Sequence, residues 1–261
     1  MVSYYRQGPF RSGGAGMNIG VPPVTPYLKA IMIACGAVWL LQVLLNAVGF
    51  QLAGLSFEQI FGVVPWRVVR GMIWQPLTYA FLHDPLSPMH LLFNLLFLWM
   101  FGGELERFWG SRAFLRFYLV SAIGGGVFIT LMGFTGRWLG FGSPEALGAA
   151  TIGASGALFG LIMAYAMIFG ERTVLFMLLF PMKARTMAMI LFAIAFFYTF
   201  SGSAGNVSHV GHLGGAVTGY LYLKRVWRIG DFYRELRWRL RRRRFKVMSQ
   251  EPRDDRDRWV H

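Results

Sequence analysis

The chain has 261 residues, 55% of them hydrophobic and 15% charged, with a mean hydropathy of +0.46. That balance excludes an ordinary soluble domain and fits a polytopic membrane protein. Much of the formal net charge of +14 lies after residue 223, where basic residues beside apolar spans mark a cytoplasmic side. A nucleic-acid role is the rival reading, but no binding motif accompanies the charge. The single cysteine, Cys35, excludes an intrachain disulfide.

In chain order, residues 1–26 are polar and Gly-rich, carry Arg6 and Arg11, and lack the early apolar core of a signal peptide. They are expected to be a cytoplasmic lead-in. A spanning helix needs about 20 mostly apolar residues, and the region 27–226 has room for six. The first is predicted over Tyr27 to Phe50. Gln51 to Pro88 is too broken by prolines to span. Its aromatics suit an interfacial loop, and its length predicts short helices inside it.

The second span is predicted from Pro88 through Phe101, closed by Gly102-Gly103-Glu104-Leu105-Glu106-Arg107. The third covers Ala113 to Phe134. A Gly-rich link, Thr135 to Ala149, leads to the fourth, Ala150 to Phe169. The run Val174 to Met182 is too short to span and is interrupted by Pro181. The fifth is predicted over Lys183 to Phe200, and Ser201 to Ser208 makes a turn. The sixth covers His209 to Val226, and residues 227–261 form a basic cytoplasmic tail. The fold class expected is therefore an all-α membrane protein, a six-helix bundle with a long, partly helical first outer loop. Arg107, Arg112, Arg172, Lys183 and Arg185 fall inside and Arg67, Arg70 and Arg137 outside, so the charge bias favours cytoplasmic termini.

With that topology spans two, four and six run the same way. His90 and Asn94, Ser155, and His212 then lie in their first turns, each within roughly 10 Å of the outer surface. Polar groups inside a bilayer are costly and usually face a protein interior or a water-filled cavity. Ser155 alone reads as packing material among small residues. The soluble nucleophile elbow also fails, because position 157 is alanine where that motif needs glycine. His212 alone reads as a satisfied interior histidine.

Their surroundings change both readings. Gly211, Gly215 and Gly219 recur every four residues, as do Gly156 and Gly160. Two smooth helix faces can approach closely. A hydroxyl and an imidazole then come within hydrogen-bond reach, which nucleophile activation requires. His209, one turn earlier, is expected at the aqueous mouth. His90 and Asn94 share a face at a spacing of four. They read either as an interhelical polar clamp or as donors to an oxyanion. No Asp or Glu lies at the outer end of span four or six, so a Ser-His dyad is more economical than a triad.

The strings Gly153-Ala154-Ser155-Gly156, His212-Leu213-Gly214-Gly215 with Gly219, His90-Leu91-Leu92-Phe93-Asn94, and Gly102-Gly103-Glu104-Leu105-Glu106-Arg107 stand in one order on successive spans. In this the chain resembles the rhomboid intramembrane serine proteases, over about residues 27–226. The resemblance implies Ser155 as nucleophile and His212 as general base. It implies an oxyanion hole of His90, Asn94 and the Ser155 backbone N–H. Gly153, Gly156, Gly215 and Gly219 are then structural support, and Glu106 ties cytoplasmic helix ends. The family's first loop often carries Trp-Arg, where this chain has Trp74-Gln75. Its tyrosine four residues past the nucleophile is Phe159 here, which can pack on His212 but cannot donate a hydrogen bond.

The function implied is hydrolysis of peptide bonds in or beside transmembrane helices of single-span or multi-span membrane proteins, in a bacterial inner membrane. A small side chain at the cleaved position and entry sideways from lipid, past span five, come with the resemblance. No cofactor and no metal are expected; the His-Glu-x-x-His of a zinc protease is absent from the sequence. Beyond substrates, the expected partner is the bilayer, including anionic lipid at the basic tail around Trp238. The alternatives are a non-catalytic binder of unstable helices and a small-solute transporter. No internal repeat favours the latter.

Overall fold

The computed structural model describes residues 22–139, 144–176, 179–200 and 209–224. The basic tail, the 201–208 turn and residues 1–21 of the lead-in lie outside them. Two compact units are distinguished, Met1–Tyr220 and Leu221–His261. The described part of the second is the last helical turn, 221–224.

Helix α1 (Pro26–Ala47) opens with Pro26 in its first turn, where a missing N–H leaves nothing unpaired. Leu28, Ile31 and Cys35 are buried, whereas Ile33, Leu40 and Leu44 are exposed. Exposed apolar surface of this kind calls for lipid or a partner.

The long loop contains the short helices its length predicts. These are α2 (Phe57–Phe61), α3 (Pro65–Val68), α4 (Gln75–Thr78) and a 3₁₀ turn, Tyr79–Phe81. Helix α2 begins with a reciprocal capping box between Ser56 and Gln59, which satisfies two otherwise orphaned donors.

Helix α5 (Pro88–Trp109) runs eight residues past the end predicted at Phe101. Gly102 and Gly103 do not stop it, because they serve packing. A Cβ on Gly102 would sit 3.0 Å from Leu28 Cδ1, and one on Gly103 would collide with the Pro23 carbonyl. The helix ends at Gly110, whose φ of +80° only glycine adopts without strain. Helix α6 (Ser111–Leu139) has 29 residues, longer at both ends than Ala113 to Phe134. A 3₁₀ turn, Pro144–Leu147, follows.

Helix α7 (Ser155–Phe169) is the largest correction. Its 15 residues begin at Ser155 rather than Ala150, so it spans only about 22 Å. Residues before it run extended and pair with the first loop: Val63 and Thr151 exchange N–H···O=C bonds of 2.9 Å. The hydropathy of 150–154 resembles a helix, yet its backbone hydrogen bonds go to the loop instead.

The short run expected not to span forms a hairpin, β1 (Thr173–Phe176) against β2 (Phe180–Lys183), antiparallel with Thr173 opposite Lys183. Pro181 is tolerated because a two-stranded ribbon leaves one edge of each strand unpaired. Ion pairs Lys183–Glu171 at 2.8 Å and Arg185–Glu171 hold its base. Helix α8 (Ala184–Phe200) and helix α9, residues 209–224, complete the described fold. Helix α7 packs against α5, α6 and α8, with a core built from Leu98, Phe101, Phe117, Tyr118 and Leu161.

Candidate active site

The segment entering α7 sets where Ser155 stands. The Gly153 N–H donates to the Tyr79 carbonyl at 3.0 Å, and Gly153 has φ +131°. A side chain there would be strained, and its Cβ would lie 3.0 Å from His90 Nε2. Glycine therefore lets the chain turn sharply beside an imidazole and deliver Ser155 as the first residue of α7.

His212 reaches Ser155 across the α7–α9 contact, with Nε2 2.8 Å from Oγ. Small residues make this approach possible. A Cβ on Gly215 would strike the Gly156 carbonyl, and one on Gly219 would sit 3.0 Å from Gly160 Cα. Phe159, one turn past Ser155, stacks on the His212 ring at 4.2 Å and 4°. The serine hydroxyl can donate to Nε2 only when the ring proton is on Nδ1. Nδ1 is buried and has no hydrogen-bond partner among the described residues. His209 stacks on Tyr198 at 5.0 Å and meets the His212 ring edge-on at 5.5 Å.

His90 lies on the other side of Gly153. The Asp84 backbone N–H donates to its Nδ1 at 3.2 Å. A neutral imidazole accepting at Nδ1 carries its proton on Nε2, and Nε2 is the atom that faces Gly153. The same Cβ position on Gly153 lies 3.6 Å from Ser155 Oγ, so an N–H donor and the hydroxyl flank one small space. Asn94 is buried. Its Nδ2 donates to the His90 carbonyl at 2.7 Å, leaving a second amide hydrogen.

Chemically, this is an alcohol bonded to a base, beside an N–H donor aimed at the space an attacked carbonyl oxygen would enter. A model of the rhomboid domain family matches residues 70–229. The chain belongs to the rhomboid family. It is thus an integral membrane protein with a mainly helical rhomboid domain. It is 29% identical over 185 residues to a Rhomboid protease GlpG from Enterobacter sp., covering 71% of this chain and 58% of that protein. It is 32% identical over 136 residues to Rhomboid protein 1, mitochondrial, of Saccharomyces cerevisiae, covering 51% and 36%. A Rhomboid protease GlpG from Yersinia pseudotuberculosis is 26% identical over 189 residues, covering 72% and 59%. The chain thus spans between about a third and three fifths of the length of these relatives.

Several supports of this rhomboid site are side chains the sequence did not single out. Tyr79 is buried, donates from its hydroxyl to the Ala122 carbonyl at 3.0 Å, and lies against Gly125 and Gly156. Gln42 on α1 accepts from the His83 N–H and donates to Glu58, both at 2.9 Å. Trp39 Nε1–H donates to the Asp84 carbonyl at 3.0 Å. Gln42 was findable as a polar residue inside an apolar span; the Asp84 amide carries no sequence signal.

Gln75 is wholly buried. It donates to the carbonyls of Gln59 and Ile60 and accepts from Val64 N–H at 3.0 Å, pinning α2 and α3 to α4. Glu106 is buried at the far end of α5. It accepts from Thr25 Oγ, the Tyr27 and Leu28 amides and Ser111 Oγ, joining the starts of α1 and α6.

Proposed function

We propose that this chain is an intramembrane serine endopeptidase. It would hydrolyse peptide bonds in or next to transmembrane helices of membrane-protein substrates. The observation that carries this reading is the 2.8 Å approach of Ser155 Oγ to His212 Nε2. In this mechanism His212 takes the hydroxyl proton as Ser155 attacks the scissile carbonyl. The oxyanion receives the His90 Nε2–H, the free Asn94 amide hydrogen and the Ser155 backbone N–H. His212 then protonates the leaving amine, and water activated by the same ring releases the acyl-enzyme. No residue in these steps calls for a metal or organic cofactor.

A substrate helix hides its carbonyls in i→i−4 bonds, so it must unwind locally first, and Gly or Pro in it lowers that cost. Phe159 stands between His212 and Phe192 of α8, with a ring separation of 5.8 Å to the latter. Sideways entry past α8 would bring a substrate to the dyad along this aromatic edge. The proposed topology has six spans, α1 and α5 to α9, within 27–226, and both termini cytoplasmic in a bacterial inner membrane.

The test is co-expression with a panel of single-span proteins, comparing the native chain with Ser155→Ala. Fragments produced only by the native chain support the reading. A serine-directed fluorophosphonate that labels both forms alike would overturn it and favour a non-catalytic binder of unstable helices.

A further inference from the structure

A cavity of about 290 Å³ opens in the first loop, away from Ser155, lined by Val64, Trp66, Arg67, Arg70, Met72 and Gly148. Arg67 lies in the single turn of α3, and Arg70 in the turn after it donates its N–H to the Arg67 carbonyl at 3.1 Å; both residues line the cavity. The Arg70 Cζ lies 4.4 Å over the Trp66 ring. Stacking occupies the face of a guanidinium and leaves its in-plane N–H fork free. Among the described residues neither arginine has an ion-pair partner.

Two cations without an ion-pair partner among the described residues suit an anionic ligand at this cavity, and the surroundings say which kind. Val69, Ile73 and Trp74 beside the cavity are 58%, 78% and 42% exposed. In a membrane protein such apolar surface meets acyl chains. The Trp66 and Trp74 indoles mark the depth of the headgroup layer. The cavity therefore stands where lipid phosphates lie, with apolar surface beside it for the chains.

We infer that this cavity binds the phosphate of an anionic glycerophospholipid, held by the Arg67 and Arg70 forks, with its acyl chains along Val69 and Ile73. A zwitterionic lipid is a poorer occupant, because its own cation already compensates the phosphate. Free phosphate lacks the apolar contacts. The lipid would fasten the loop that carries Val63 and Tyr79, the partners of the segment leading to Ser155.

The test is native mass spectrometry of the full chain in mild detergent, titrated with dioctanoyl phosphatidylglycerol. The native chain is compared with Arg67→Gln/Arg70→Gln, the basic tail being intact in both. The double variant is expected to lose one bound lipid and bind the rest unchanged. Dioctanoyl phosphatidylcholine should not fill that site, and millimolar inorganic phosphate should not empty it. Equal lipid retention by the two proteins overturns the inference. So does full displacement by inorganic phosphate, which marks a free-anion site, or equal filling by phosphatidylcholine. Equal melting midpoints without added lipid confirm that the variant is folded. Should it not fold, Arg67→Lys/Arg70→Lys is read in the same way. It keeps charge but loses the fork, and is expected to bind that lipid at least threefold more weakly.

Discussion

The Asp84 backbone N–H donates to His90 Nδ1 at 3.2 Å, and this bond puts the ring's remaining proton on Nε2, the atom facing Gly153. Asp84 is itself held from α1. Trp39 Nε1–H binds its carbonyl, and Gln42 binds the amide of His83 before it. A helix without any reacting group thus sets the tautomer of the proposed oxyanion donor. Gln42→Ala should lower kcat by about tenfold, the scale of one weakened oxyanion contact. KM for a detergent-soluble substrate should change little. Trp39→Phe should do the same to a smaller degree. Progress curves over a range of substrate concentrations decide; a rise in KM alone would assign these residues to binding.

Removing either member of the dyad should cost about as much as removing both. Ser155→Ala, His212→Ala and the double variant are each expected to lose cleavage by about 10⁴-fold or more, because the two groups act as one unit. Cleavage assays on the three proteins check this. Losses that multiply across the double variant would mean that hydroxyl and imidazole act separately.

The α7–α9 contact leaves no room for a methyl group. Gly215→Ala places a carbon against the Gly156 carbonyl, so the helices must separate. Overpacking of this kind costs about 1–3 kcal/mol. A shift of even 1 Å between reacting groups can cost about a hundredfold in rate. Gly215→Ala is therefore expected to lose most activity while remaining folded, with a lowered melting midpoint. Gly36→Ala on α1, where a Cβ meets nothing within 4 Å, is the control: it should leave activity unchanged and keep or slightly raise the melting midpoint.

The long helices were legible because an apolar run of bilayer length has few alternatives. What misled was local. Gly102 and Gly103 look like a helix stop, but they are spaces for Leu28 and Pro23. Residues 150–154 look helical, yet Thr151 and Gly153 give their amides to Val63 and Tyr79. Those partners lie more than seventy residues away in sequence, and hydropathy does not register them. The pairing of Ser155 with His212 left a trace, the glycines at every fourth position on two segments. Gln75 was visible only as a departure from Trp-Arg, and Tyr79 and the Asp84 amide left no trace, because their roles depend on tertiary partners.

Glu106 accepts four hydrogen bonds, two at each carboxylate oxygen. Glu106→Gln replaces one oxygen by an NH₂ group; the hydroxyl facing it can turn to accept, but the backbone N–H facing it loses its acceptor. A loss of about 1–3 kcal/mol is expected for that one buried donor left unpaired. Cleavage at low temperature should survive. Thermal unfolding in detergent, with activity assayed well below the midpoint, separates the two. Loss of activity without loss of stability would contradict a purely structural role.

His83 supplies a pH signature. Its side chain is fully buried, its ring packs 5.3 Å from that of His90, and neither of its nitrogens has a partner among the described residues. Burial, reinforced by the neighbouring His90, pushes its pKa from 6.5 down to about 4, although the Phe81 backbone pulls the other way. Because the folded form resists protonation, the unfolded chain binds more protons between these values. Stability is then complete above pH 6.5 and falls as pH drops through the window to about 4. The full loss integrates to about 3 kcal/mol. His83→Leu removes this titration. The native chain should lose stability relative to the variant as the pH is lowered from 7 to 4, whichever is the more stable at pH 7. Denaturation midpoints of both proteins across that range give the difference directly. A difference independent of pH would mean that His83 is already accessible to protons in the folded protein.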